Sequence, residues 1–106
     1  MTTDFRFAPL DWTPEKARAT AAQEGLAPGD EHWELVRSLQ EFYARHHDAT
    51  INLRELQDAL EEKFHHKGGM KFLYTLFPGG PIVQGCRLAG LRPPAGAIDR
   101  GFGSVA

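Results

Sequence analysis

Cys86 is the one cysteine among 106 residues, and its neighbours decide whether it can act as a nucleophile, because the thiolate is the reactive form. Arg87 adjoins it and a Gly/Pro-rich segment follows. A nearby cation lowers a thiol pKa and an exposed segment permits attack, so one reading is a reactive thiol. The competing reading is a small buried hydrophobe whose apolar surroundings raise the pKa and leave the sulfur inert. A lone cysteine excludes an internal disulfide and any multi-cysteine zinc or iron–sulfur site built from this chain.

The histidines offer less. Of five, four fall in the adjacent pairs His46, His47 and His65, His66. Neighbours on a helix point about 100° apart, so neither pair presents two ligands to one ion as residues i and i+4 do. Both pairs suit helix C-termini, where the macrodipole favours them, and no metal is expected. His32, just before Trp33, reads as a packing residue. The consecutive carboxylates Asp30, Glu31 and Glu61, Glu62 diverge, so no acid–base pair is indicated. Phe77, Pro78, Gly79, Gly80 and Pro81 lack the lysine and spacing of a phosphate loop, and their prolines remove amide donors, which leaves a turn. Ser38 and Ser104 stand in no nucleophile-elbow context. No cofactor is expected, and with no complete set of acid, base and nucleophile, a carrier or partner protein fits better than a stand-alone enzyme.

The elements that must position these residues are mostly helical. Thr13 suits an N-cap, Pro14 the first helical position and Gly25 the C-terminal cap of a first helix, with Trp12 packing inward. After the Leu26–Gly29 punctuation, Asp30 and Glu31 supply first-turn negative charge for a second helix. Its stripe is Trp33, Val36, Leu39 or Gln40, and Tyr43, widened by Phe42, and it ends near His46 or His47. Leu53, Leu56, Ala59, Leu60 and Phe64 repeat the helical period until Gly68 and Gly69 break it. Met70 to Phe77 fits a short helix or a buried strand. A last short helix over Ile82 to Ala89 would put Ile82, Cys86 and Ala89 on one face. Beyond it, Gly90, Pro93, Pro94, Gly96, Gly101 and Gly103 predict an irregular C-terminal arm over 91–106. The expected fold is mainly α, a small orthogonal helical bundle with a minor β-hairpin conceivable near Phe5, Arg6, Phe7 or the glycine-rich turn. Trp33, Leu39, Leu56, Leu60, Phe72 and Phe77 are the expected core.

Composition sets the outer bounds. The length suits a single domain over 1–106. Hydrophobic residues at 42% and charged residues at 25% are ordinary for a globular chain. The formal net charge of -2 provides no global positive field for nucleic acid, although a local basic patch is compatible with it. The opening residues lack the apolar stretch of a secretory signal and nothing later reaches membrane-spanning length, so a cytoplasmic protein without membrane attachment is expected, as a monomer or weak oligomer.

The landmarks also resemble a known family along most of the chain. Glu24–Gly25, His32–Trp33 and Phe42–Tyr43 look like the EG, HW and FY landmarks of the DsrC/TusE sulfur-relay family. Lys67–Gly68, the run Leu73 to Pro78, and Gly80–Pro81 resemble its KG, LYxLFP and GP signatures. Ala89, Gly90, Leu91 and then Pro94 resemble the stretch that opens its C-terminal arm. The resemblance implies a helical bundle whose arm carries sulfur as a cysteine persulfide, working with sulfur-transfer proteins: a TusBCD-like complex in tRNA 2-thiouridine synthesis, or a sulfite reductase-like partner in dissimilatory sulfur metabolism.

One departure bears on mechanism. Cys86 matches the upstream cysteine of DsrC-type members, and with the ten residues 87–96 in between, Ala97 occupies the place of the arm cysteine. The chain then runs on through Ile98 to Ala106, whereas the best-known members end soon after that cysteine. Without a second thiol, two-cysteine chemistry within this chain is impossible. Three readings stay open: an introduced cysteine-to-alanine change, a paralogue that has lost the transfer step, or a protein whose Cys86 alone handles sulfur. The candidate sulfur-handling positions are therefore Cys86 and Ala97. The alternative function is a regulatory or adaptor module of the same fold without sulfur transfer; DNA binding through a helix-turn-helix-like pair is its weakest form, given the acidic balance.

Overall fold

Local capping chemistry starts the helices. The Thr13 side chain accepts from the Lys16 amide at 3.1 Å and Pro14 takes the first helical position, opening α1 at Pro14–Gln23. The computed structural model describes residues 5–46 and 50–97. Within them follow α2 (Asp30–Arg45), α3 (Leu53–Lys63), a 3-10 turn (His65–Lys67), α4 (Gly69–Leu76) and α5 (Pro81–Ala89). Asn52 caps α3 by accepting from the Glu55 amide at 2.9 Å, as N-cap side chains do. The fold is mainly α, as expected.

The segments read ambiguously resolve as follows. Met70 to Leu76 is helix, not strand. The Phe5, Arg6, Phe7 alternation that suggested a strand forms a turn, closed by the Ala8 amide donating to Phe5 O at 3.1 Å. The glycine-rich piece is likewise a turn, closed by the Gly80 amide on Phe77 O at 2.8 Å. No strand forms among the described residues, so neither place carries a β-hairpin: each closes its own backbone bonds before a partner strand can pair.

α5 is the central element, buried along its whole length except at Arg87. It packs chiefly on α2 and α1. At the α2 contact Gly85 is required, since a Cβ there would lie 2.7 Å from Leu39 Cδ1. Leu35, absent from the expected stripe, is fully buried along with Val36, Leu39 and Gln40. Leu56, Leu60 and Phe77 are buried as expected. Trp33 and Phe72 are only partly buried against this core. For Trp33 the reason is its cover: the Phe5 ring lies 5.9 Å away edge-on and the Arg18 guanidinium 5.6 Å over its face, a surface sandwich and not a place in the centre.

α5 ends in a left-handed turn that launches the arm. Gly90 has φ 79°, and the Leu91 amide bonds back to Cys86 O at 2.8 Å, the pattern of a Schellman motif. A Cβ on Gly90 would stand 2.8 Å from Trp12 Cδ1, and Trp12 is pinned because its Nε1 donates to Leu88 O at 2.6 Å. Gly90→Ala is therefore expected to lower stability by about 1–2 kcal/mol through left-handed strain alone, read as a shift in the urea midpoint. Residues 91–97 form neither helix nor strand. They lie on the bundle, with Pro94 buried and Leu91 and Ala97 against the core. The expected arm over 91–106 is thus irregular where described; 98–106 lie outside the described residues.

Candidate functional site

The site is the junction of α5, α2 and the arm. Cys86 lies in the middle of α5 on the face turned to α2 and is 0% exposed. Its Sγ is 3.7 Å from the hydroxyl of Tyr43 on α2, and that hydroxyl donates to Arg92 O of the arm at 2.6 Å. Because the tyrosine spends its only proton on Arg92, the thiol is the donor toward Tyr43. A chain of hydrogen bonds thus runs from Cys86 through Tyr43 to the base of the arm.

Burial pushes the Cys86 thiol up to about 11. Tyr43 is raised as well, first by burial and then by Cys86. Of the two readings of Cys86 from sequence, its surroundings match the buried hydrophobe. Arg87 does not activate it: consecutive helical residues diverge, and the Arg87 Nε instead donates to Glu24 Oε2 at 2.6 Å, with a second contact to Oε1 at 3.3 Å.

The thiol leaves a pH signature. A folded-state pKa of about 11 against an ordinary 9.0 means that the native state favours the neutral thiol. Its contribution is complete below about pH 9 and is lost as pH rises through 11. That shift corresponds to roughly 2–3 kcal/mol. Urea unfolding across this range is expected to show a decline in stability that Cys86→Ala flattens; parallel slopes would contradict the burial of an ionisable thiol.

Ala97, the other candidate, sits elsewhere. With Gly96 it borders a cleft of ≈ 110 Å³ walled by Leu53, Met70, Tyr74 and Ile82, among others. The arm thus brings position 97 to a cleft between α3, α4 and α5, while Cys86 is sealed behind the same helix. The two candidate positions do not share that cleft.

Three buried polar groups around α5 were not legible as a set. The Glu24 carboxylate, 7% exposed, receives Arg87 and also the Gln84 Nε2 at 3.0 Å. Gln84 Oε1 in turn accepts from the Gly79 amide at 2.7 Å, fixing the turn before α5. Gln40 Nε2 donates to Ala89 O at 3.0 Å. The only trace of Glu24 in the sequence was the Glu24–Gly25 landmark, since its partners are 60 and 63 positions away.

The histidines have structural tasks. His32 Nδ1 accepts from the Gly29 amide at 3.0 Å, so Nε2 carries the proton and donates to Leu76 O at 3.0 Å, tying the start of α2 to the end of α4. His46 caps the end of α2 with its ring stacked 4.1 Å from Phe42. His65 and His66 are exposed in the 3-10 turn, and His47 lies outside the described residues. Among the described residues no three His, Cys, Asp or Glu side chains gather as a metal site would require. No described helix is long and apolar enough to cross a membrane.

Comparison with known proteins follows the same outline. The family model described as DsrC like protein matches residues 2–98. The sulfurtransferase TusE of Salmonella typhimurium is 41% identical over 88 residues, covering 82% of this chain and 80% of that protein. TusE of Yersinia pestis is 37% identical over 89 residues, covering 83% of this chain and 81% of that protein. The NMR structure of Allochromatium vinosum DsrC superposes with a TM-score of 0.66 at 39% identity, over 83% of this chain and 79% of that one.

Proposed function

The chain belongs to the DsrC-like protein family, and from that premise we propose that it is a cytoplasmic sulfur-relay accessory protein that docks on sulfur-transfer partners. The observation that carries this reading is the placement of position 97. The arm delivers it to the rim of a cleft, where a partner's sulfur could reach it, while Cys86 is enclosed and its thiol held neutral. Sulfur handling in this scaffold belongs to the arm position, and Cys86 supports the core. The partners are a TusBCD-like complex serving tRNA thiolation, or a sulfite reductase-like protein; the names of the TusE relatives favour the first, and the DsrC-type position of Cys86 the second.

The adaptor reading, docking without sulfur transfer, rests on Ala97 itself, because a methyl group accepts no sulfur. Mass spectrometry after exposure to a persulfide donor separates the two roles. The unaltered chain is expected to gain no sulfur, and Ala97→Cys to gain one atom on the introduced thiol. Sulfur accumulating on Cys86 with Ala97 unchanged would overturn the assignment and make the chain a one-cysteine carrier. Co-purification with relay proteins from cells tests docking separately.

A further inference from the structure

A second surface feature lies apart from the arm. A groove of ≈ 510 Å³ follows α2 beneath Phe5 and Phe7, and a hollow of ≈ 210 Å³ continues it toward α3, sharing Ser38, Glu41, Arg45 and Lys63. Its charge is opposite to that of the whole chain, which is -2. Four cations, Arg6, Arg37, Arg45 and Lys63, border it against two carboxylates, Glu34 and Glu41. Both carboxylates are already engaged: Glu41 pairs with Arg45 at 2.8 Å, and Glu34 lies 3.8 Å from Lys67. Arg6, Arg37 and Lys63 have no carboxylate partner among the described residues.

Arg37 is the best presented of these. Its guanidinium lies 5.4 Å over the Phe5 ring, and stacking on a ring face leaves the in-plane N–H groups available for a bidentate carboxylate.

We propose that this groove receives an extended acidic segment of a partner protein, whose carboxylates pair with Arg37 and Lys63. The charge pattern favours a peptide over a nucleic acid. A phosphate strand brings an unbroken row of negative charge past Glu34 and Glu41, whereas a peptide spaces its carboxylates between them. The groove shares no lining residue with the Ala97 cleft, so its occupancy does not depend on the relay reading.

The test is a titration of the isotope-labelled full chain with a blocked alternating Glu-Ala peptide, followed by NMR, with single-stranded oligothymidylate in parallel. The peptide is expected to produce saturable shifts at Arg37 and Lys63, weakening as salt is added. Arg37→Glu with Lys63→Glu is expected to weaken binding at least about tenfold. Arg37→Gln with Lys63→Gln provides a milder pair should the charge reversal disturb folding. Absence of saturable shifts, shifts confined to other surfaces, or tighter binding of oligothymidylate in the groove would each overturn the proposal, the last by assigning the groove to nucleic acid.

Discussion

Iodoacetamide is expected to label Cys86 of the folded protein at neutral pH at least about 100-fold more slowly than the same cysteine in the urea-unfolded chain. Ionisation alone supplies a factor of that size. A thiol held at about 11 carries roughly 100-fold less thiolate at neutral pH than one at the ordinary 9.0. Burial adds to it, since the side chain is 0% exposed and the reagent must wait for an opening of the fold. Mass spectrometry over a time course, with and without urea, measures both rates. Labelling of the native protein at the unfolded rate would show that Cys86 is accessible and would return it to the list of sulfur acceptors.

Arg87→Ala is expected to cost about 3–5 kcal/mol in urea denaturation, more than its position next to a functional candidate would suggest. The substitution leaves the Glu24 carboxylate, 7% exposed, with Gln84 as its remaining side-chain partner. An uncompensated charge at such a site is worse than no charge, so the double change Glu24→Leu with Arg87→Met is expected to recover much of the loss. A loss below about 1 kcal/mol for Arg87→Ala, the range of exposed ion pairs, would mean that this bridge does not hold the end of α1 to α5. If instead Arg87 acted on the thiol, its removal would change the alkylation rate while leaving stability almost unaltered.

These two expectations mark where the sequence was informative and where it was not. Thr13 before Pro14, the Asp30–Glu31 pair, Gly25, Gly68 and Gly90 all act within a turn of their own position, by satisfying or withholding nearby backbone hydrogen bonds. Helix limits written in such residues could be read directly, and α1, α2 and α5 lie within a residue or two of where they were expected. The landmark residues carried the family for a related reason, since order and spacing along the chain are properties of the chain alone.

Burial and partnership are different quantities. Leu35 entered the core, and Trp33 stayed at its edge, because α5 approaches α2 closely at Gly85 while the Phe5 ring covers Trp33; periodicity fixes which residues share a face, but the neighbouring helix chooses the face. Arg87 found Glu24 across 63 positions, and Cys86 found Tyr43 across 43. The same adjacency that made Arg87 look like an activator of the thiol places the two side chains in different directions on one helix. Helix limits and family thus followed from residue order. The protonation of Cys86, the partner of Arg87 and the cleft at Ala97 followed from packing, because each depends on desolvation or contact between segments that no local spacing brings together.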